Sequence, residues 1–590
     1  MSIKLGVGTI ATATLLVACV LQSDRPSQPE ASSAFRTGPN SVTASKHMAA
    51  SANPLATEAG REILRAGGSA VDAAIAIQMV LTLVEPQSSG IGGGAFLLHW
   101  DRRKVTAYDG RETAPIAADE KLFLLPDGKA MPFYDAVVGG RSVGTPGALR
   151  MLEVAHKQYG KLPWARLFEP AIRLSENGFP MSPRLNMQLA SEKYLKNDAA
   201  AAAYFYNADG TPKAVGTSMR NPALAATLRA IAANPNSLYA GEIPDDIVKT
   251  VRSHANAGRL AASDFAAYQV KQREPICTDY KQWRVCGFPP PSSGGIAVVQ
   301  MLGIFAARNI AAVPPTHVNG KLELQPDAVH LFSEAGRLAF ADRGLYVADS
   351  DFVKVNVAGL VDPVYLQQRA QLIGDRSMGT AKPGVPPGTQ MGAADDASPH
   401  KAATSHISVV DGYGNALSMT TTIEDLFGAR MMVRGFLLNN QLTDFSLAPV
   451  ADGRPVANRV QAGKRPRSSM APALVFDRAS GQLVGTLGSP GGSQIIGYVA
   501  KTLVGVLDWN LDIQQAISLP NFGSRNGPTE LERGQFGPQM VEALKARGHD
   551  VREIDMASGL QSIVRVRLPN GSLGWAGGAD PRREGIALGD

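Results

Sequence analysis

The chain has 590 residues and is short of both charge and cysteine. Asp, Glu, Lys and Arg make up 19% of it, against about 25% in an average globular chain. Heptad arrays need abundant Glu and Lys and are excluded on that ground. Three cysteines are present, no Cys-x-x-Cys and no His-Glu-x-x-His occurs, and the nine histidines do not fall at ligand spacing. No structural or catalytic metal, and no cofactor, is therefore expected. No apolar run reaches the about 20 residues of a membrane-spanning helix. No Lys/Arg block is long enough to track nucleic acid, and a net charge of +6 is a weak bias over this length. Glycine has no period of three, which excludes collagen.

What the chain does have is glycine (60) and proline (39), about 17% together, where about 12% is usual. Turns are thus frequent. Apolar residues make up 44%, near the globular norm, which argues against a disordered polymer. Length alone suggests roughly 2–4 domain-sized units.

Residues 1–18 read as an export signal. Lys4 gives a weakly positive start, and an uncharged run, Leu5–Val20, follows. Leu16-Val17-Ala18-Cys19 resembles a bacterial lipobox, in which the Cys19 thiol is acylated and becomes the first mature residue. The expectation is a periplasmic protein anchored by lipid, with residues 19–47 as a tether rich in Ser, Pro and Ala. Cys277 and Cys286 flank a stretch of hairpin length. An oxidising compartment permits a disulfide between them, and two buried free thiols are the alternative.

Along the chain, Pro54–Ala66 reads as a helix stopped by Gly67-Gly68. Ser69, with Asp72 three residues on, caps a second helix that runs to about Val84. Gly90–Ala95 matches G-x-G-x-x-A, but it follows a helix and opens a strand, the wrong context for dinucleotide binding. Helical patterns follow at Leu149–Tyr159, Trp164–Asn177 and His330–Leu345, and residues 276–300 read as a hairpin followed by a helix. From Gly374 to Thr404 no apolar period survives, as in a long surface loop. Then Ser405–Val410 and Ala416–Thr422 alternate about the turn Asp411–Asn415. With that turn centred on Tyr413, Thr404 faces Thr422 across the ladder. A slip of one residue would undo this.

These residues resemble the gamma-glutamyltransferase (gamma-glutamyltranspeptidase) family of N-terminal-nucleophile hydrolases. The resemblance rests on Asp109–Glu112 (DGRE), Pro289–Gly295, Thr404-Ser405-His406 before Ser408–Asp411, Leu437–Phe445 (LLNNQLTDF), Lys464–Met470 (KRPRSSM), Ser489–Ser493 (SPGGS) and Asp580-Pro581-Arg582. They fall in family order over about residues 48–583. The resemblance implies an α/β (α+β) fold, a four-layer αββα sandwich. It is made as one precursor that cuts itself between Ala403 and Thr404. Residues 48–403 and 404–590 then stay together as the large and small subunits of a heterodimer.

The same resemblance implies the site. A threonine hydroxyl is a poor nucleophile without a base beside it. Cleavage creates an α-amine on Thr404 that serves as that base. Thr422 matches a second threonine that hydrogen-bonds the nucleophile. Gly491 and Gly492 match the oxyanion donors. Arg111 matches the arginine that holds the substrate α-carboxylate, with Ser468 and Ser469 adding hydroxyls. Asp444 matches the acceptor of the α-ammonium, and Gln441 and Glu424 stand beside it.

The implied activity is transfer of a γ-glutamyl group from glutathione-like amides to water or to an amino acid or peptide amine. The chain departs from the family pattern in places. Glu424 stands where many members have Asn. Segment 447–463 is short and lacks a Tyr. Arg467 replaces an aliphatic residue, from which a more basic, more open pocket rim is expected. Three rival readings remain at this level. One is an acylase of a bulkier amide on the same fold. Another is a tethered γ-glutamyl-binding protein without turnover. The third is a serine hydrolase built on Gly140–Gly144 (G-x-S-x-G).

Overall fold

The computed structural model describes residues 32, 40–389, 394, 396 and 403–590. The signal segment 1–18 and Cys19 lie outside these. The expected tether through His47 ends earlier than its composition suggests: Val42–Ala44 (β1) already forms a strand on the edge of a sheet. Polar, small-residue composition does not prevent edge pairing when a partner strand offers free backbone groups.

Two antiparallel sheets form the centre. The first contains β2 (Met48–Ser51), β3 (Gly94–Trp100), β4 (Val105–Gly110), β5 (Lys271–Arg273), β8 (Ala403–Val410), β9 (Ala416–Glu424) and β14 (Ile586–Gly589), in the order β14-β2-β8-β9-β3-β4-β5. The second contains β1, β6 (Ile276–Tyr280), β7 (Trp283–Gly287), β10 (Ala473–Asp477), β11 (Leu483–Gly488), β12 (Gln561–Arg567) and β13 (Leu573–Ala579), in the order β1-β13-β12-β11-β10-β7-β6. Helices α1 (Pro54–Arg65), α2 (Ala70–Val84) and α3 (Ala148–Tyr159) cover the outer face of the first sheet. Helices α4 (Gly294–Arg308), α5 (Pro326–Tyr346) and α6 (Ile495–Leu507) cover the second. The result is the four-layer αββα sandwich.

The local rules behind the helices hold. Asn53 caps α1, with Pro54 at its first position. Ser69 and Asp72 form a reciprocal capping box at the start of α2, which satisfies two otherwise orphaned N–H groups. All of α2 is buried. That explains its unbroken apolar sequence: a helix between a sheet and other helices needs no polar face. Gly90–Ala95 leads from α2 into β3, and Gly93 is required by close approach. A Cβ there would lie 2.1 Å from the Thr422 carbonyl oxygen. These glycines pack backbone against the central hairpin. Cys277 and Cys286 face each other across β6 and β7 and are joined by a disulfide. Among the described residues no helix is long and apolar enough to cross a membrane.

Residues 374–389 carry no helix or strand. The hairpin after the loop keeps the expected register, with Thr404 opposite Thr422 and Val410 opposite Ala416. Every residue of β8 and β9 is buried, and successive side chains alternate between two interiors. Ile407 and Val409 enter the apolar core under α2. His406 and Ser408 point at the second sheet. Ser408 Oγ donates to the Gln561 carbonyl at 2.9 Å, and the His406 ring fills the space beside Gly488. Thr404 shares that inward face, at the end of the strand.

The two sheets are therefore stitched by hydroxyls. Ser418 Oγ donates to the Leu487 carbonyl at 2.9 Å and accepts from the Ala473 N–H at 3.1 Å. Removing it strands a buried donor and a buried acceptor. A Ser418→Ala variant is expected to lose about 1–3 kcal/mol of stability, read as a lower urea midpoint at unchanged slope.

Candidate active site

Thr404 opens β8 beside a register shift. Ala403 pairs with Glu424 while Thr404 pairs with Thr422, leaving Ile423 as the extra residue. Bulges re-aim side chains. Here Glu424 also adopts a left-handed backbone (φ 82°), and its carboxyl lines the cleft rather than continuing the ladder.

A narrow cleft opens beside Thr404. Thr404, Thr422, Glu424, Arg111, Gln441, Asp444, Ser468, Ser469 and Gly492 all line it. Residues separated by more than 300 positions are thus brought to one place. β4 delivers Arg111 directly after its last residue. The short helical turn Gln441–Asp444 delivers two side chains. The turn after β11 delivers Gly491 and Gly492 to the start of α6.

Thr422 contacts the bond expected to be cut. Its hydroxyl donates to the Ala403 carbonyl oxygen at 2.6 Å and accepts from the Glu424 N–H at 2.9 Å. The Thr404 hydroxyl lies 3.4 Å from the Thr422 oxygen. Thr422 has one hydrogen, and it is engaged on Ala403, so Thr404 is the donor of that pair. The Thr404 carbonyl is held by Arg583 Nη1 at 3.3 Å.

Gly491 and Gly492 both have positive φ, 138° and 57°. A Cβ on Gly491 would lie 2.5 Å from the Tyr498 ring. No carbonyl or side chain among the described residues accepts from either N–H. Two free donors at the start of a helix, where the peptide dipoles add, form an anion site.

Charge in the cleft is buried and largely self-paired. Arg111 is fully buried. Its Nη2 donates to Asp444 Oδ2 and to the Arg467 carbonyl, and its Nε donates to the Pro466 carbonyl at 3.2 Å. Nη1 has no hydrogen-bond partner among the described residues. Asp444 Oδ2 also accepts from Gln441 Nε2 at 2.7 Å. The two groups expected to hold the substrate carboxylate and ammonium thus hold each other here. Behind them, Glu112 lies 3.9 Å from Arg111 Nη1. Burial outweighs that cation and pushes its carboxyl up to about 8.

Glu424 accepts from Asn440 Nδ2 and from Thr443 Oγ1. Burial first, then Asp444 and Asp425, raise its pKa well above the usual range. Its Oε1 has no partner among the described residues.

One expectation fails, one rival reading falls, and two histidines far apart in the sequence come together. Arg467 does not form a basic rim. Its side chain is fully buried, donates to Asp396 Oδ2 at 2.8 Å and to the Arg343 carbonyl at 3.3 Å, and does not line the cleft. An arginine in a turn can be pulled inward when carbonyls and a carboxylate surround it. Ser142 is buried and donates to the Val137 carbonyl at 2.6 Å. No helix of the nucleophile-elbow kind follows it, which removes the serine hydrolase. The histidines do meet: His330 Nδ1 and His549 Nε2 are 2.8 Å apart, close to Glu334. Their remaining nitrogens and the carboxylate are already taken, by the Gly374 carbonyl, Thr529 Oγ1, Arg337, Ser377 and the Met378 N–H. The cluster is a hydrogen-bonded core with no ligand atom to spare.

Sequence reasoning missed Arg343. It lies on α5, and its guanidinium donates to Ser469 Oγ at 2.7 Å and Ser293 Oγ at 2.8 Å. Ser293 Oγ in turn donates to the Ser468 carbonyl at 2.6 Å. The motif Pro289–Gly295 therefore supports the serine pair. A charged residue among the apolar positions of His330–Leu345 was the available signal.

Glu112 yields a stability test. A carboxyl whose folded pKa is raised stabilises fully below the unfolded value of about 4.5, and that contribution disappears as pH rises through about 8. Glu112→Gln lacks this loss. Its melting temperature is expected to gain on the wild type between pH 5 and 9, read by calorimetry.

The profile of the gamma-glutamyltranspeptidase family matches residues 56–590. The glutathione hydrolase proenzyme of Bacillus subtilis (strain 168) is 34% identical over 554 residues, covering 92% of this chain and 91% of that one. The glutathione hydrolase proenzyme of Escherichia coli (strain K12) is 35% identical over 564 residues, 92% and 91%. Among solved structures, cephalosporin acylase from Bacillus halodurans superimposes with a TM-score of 0.79 at 28% identity, covering 94% and 98%. With the ordered motifs, the αββα sandwich and the cleft around Thr404, this chain belongs to the gamma-glutamyltranspeptidase family.

Proposed function

We propose that the protein is a self-processing γ-glutamyl hydrolase and transferase with Thr404 as nucleophile. The observation that carries this is the contact of Thr422 with the Ala403 carbonyl, beside the Thr404 hydroxyl. In the precursor, Thr404 Oγ attacks the Ala403 carbonyl carbon and the peptide C–N bond breaks. Water then hydrolyses the ester, leaving a carboxylate on Ala403 and a free amine on Thr404. The parts 48–403 and 404–590 remain one folded unit, because β8 lies between β2 and β9 in the same sheet.

In the mature enzyme the Thr404 amine takes the hydroxyl proton as oxygen attacks the γ-carbonyl. An α-amine titrates near 8, and burial lowers it, which suits a base at neutral pH. The oxyanion takes the Gly491 and Gly492 N–H groups. The amide C–N bond breaks, the proton passes to the departing amine, and a γ-glutamyl ester remains. Water or an acceptor amine then releases it.

The substrate α-carboxylate enters between Arg111 Nη1 and the Ser468–Ser469 pair, with Arg343 holding Ser469 in place. The α-ammonium displaces Arg111 from Asp444 and meets Glu424. Export, lipidation at Cys19 and a periplasmic location complete the proposal, supported by the lipobox-like pattern of the first 19 residues. A second reading, an acylase acting on a bulkier amide by the same steps, is favoured by the likeness to cephalosporin acylase. It is also favoured by a cleft that draws no lining residue from 447–463.

Thr404→Ala is expected to remain one chain. The wild type is expected to run as two pieces on a denaturing gel, the smaller of 187 residues. Turnover of a γ-glutamyl anilide should fall roughly a thousandfold or more. An intact wild-type band would overturn the proposal.

Glu424 predicts a pH effect. Its raised pKa favours the protonated form in the free enzyme, and only the ionised form attracts an ammonium. KM should therefore fall as pH rises through that pKa. In Glu424→Asn the KM profile should be flat over the same range.

A further inference from the structure

Strand β8 is unevenly supported. β2 pairs with it at Ile407–Val410. Among the described residues, Thr404–His406 therefore have β9 on one side and no strand on the other. While the chain is intact, Ala403 continues it. Once the Ala403–Thr404 bond is cut, Thr404 is a chain end, and chain ends fray unless tied down.

The tie lies on the open side. Arg583 Nη1 donates to the Thr404 carbonyl oxygen at 3.3 Å, and Nη2 donates to the Ala557 carbonyl at 3.2 Å. Arg583 belongs to the turn before β14, the strand beyond β2 in the same sheet. Its guanidinium thus stands where a neighbouring strand would offer an N–H.

The arginine is given room and held. Its side chain is fully buried. A Cβ on Gly559 would lie 2.8 Å from Arg583 Cδ and 2.5 Å from Pro490 Cγ. That glycine admits the arginine beside the residue that leads into the Gly491–Gly492 turn. The turn carrying Arg583 is fixed as well. Its N–H donates to the Asp580 carbonyl at 3.3 Å, and the Arg582 N–H donates to Asp580 Oδ1 at 3.1 Å. The Arg582 guanidinium forks onto Glu532 at 2.6 and 2.7 Å. Arg583 itself does not line the cleft.

The same cation bears on the base. The α-nitrogen of Thr404 is three bonds from the carbonyl oxygen that Arg583 holds. Bond lengths place it within about 4 Å of that oxygen, and so within roughly 7 Å of Nη1. A like charge at that range disfavours the protonated amine. The other ionisable groups around Thr404 are largely paired or neutral. Arg111 and Asp444 hold each other, and Glu424 is shifted toward its neutral form. Burial lowers His406 to about 3, which leaves it uncharged at neutral pH. Glu85, just after α2, accepts from Arg184 Nη1, and burial raises its pKa. Glu584 Oε1 accepts from the Arg184 N–H at 2.8 Å.

We propose that Arg583 is a positioning residue of the mature site: it ties down the Thr404 chain end, and its charge keeps the new α-amine in the basic form. This rests on the reading of Thr404 as nucleophile.

The test follows kcat against pH for hydrolysis of a γ-glutamyl anilide by the processed full-length enzyme, in the wild type, Arg583→Met and Arg583→Lys. The Glu424 effect falls in KM and so does not disturb it. In Arg583→Met the acid limb should move up by about one pH unit, so that kcat below the limb falls about tenfold. Arg583→Lys keeps the charge without the fork. Its limb should stay within about 0.3 unit of the wild type while the plateau falls severalfold. An arginine with a purely structural role would change the amount of active enzyme and leave the limb in place. An unmoved limb in Arg583→Met therefore overturns the proposal. Should that variant stay uncleaved, Arg583→Lys decides. An unmoved limb with a lowered plateau supports the proposal, and a limb moved by about a unit or an unchanged plateau overturns it. If neither variant cleaves itself, the proposal is also overturned, because the residue then serves the fold or the precursor. An uncleaved wild type instead overturns the nucleophile reading, a distinguishable result.

Discussion

The structure depends on one constraint, the register of the hairpin that begins at Thr404. Both of its strands are buried on both faces, so no residue in it can change sides without placing a polar group in an apolar core or the reverse. Within that register Thr404, His406 and Ser408 face the second sheet, and Ile407 and Val409 face the helices. The nucleophile consequently sits at a strand end, between two sheets, opposite the turn that follows β11. The bulge at Ala403 adds what regular pairing lacks. It turns Glu424 into the cleft and leaves the Ala403 carbonyl under the Thr422 hydroxyl.

The low charge of the chain takes on a different meaning beside this geometry. Much of it lies inside. Arg111, Arg343, Arg467, Glu112 and Glu424 are buried around the cleft. Each buried cation is held by carbonyls, hydroxyls or a carboxylate, as the desolvation cost requires. Glu112 and Glu424 lack enough of such partners and respond by shifting toward the neutral form. On the function proposed above, such a cleft takes a zwitterion by exchanging internal pairs for substrate pairs. No net charge needs to be buried.

The helices were legible because their signals are local. Asn53, Ser69 and Asp72 cap within three residues, and Gly67 stops within one. The hairpin register was legible because the turn at Tyr413 sets it by counting. The cleft was legible only through ordered motifs, since nothing in the spacing of Arg111 and Asp444 relates them. Arg467 misled for a physical reason. Whether an arginine faces solvent or a set of carbonyls depends on segments far away in sequence, here Arg343 and Asp396. Arg343 was missed for the mirror reason, since a helix that buries nearly all its faces hides its one functional cation.

By itself the sequence determined the secondary structure around the site, the candidate nucleophile within its family order, and the pairing of Thr404 with Thr422. The elements and the pairing follow from caps, turns and alternation, which act over a few residues, and the candidate nucleophile follows from the order of the family's motifs. Only the tertiary structure decided which side chains meet. It turned Arg467 from rim to core, brought His330 against His549, and pointed Thr422 at the Ala403 carbonyl. Those outcomes depend on which surfaces are left to be covered once the two sheets have packed, and no short stretch of sequence encodes that.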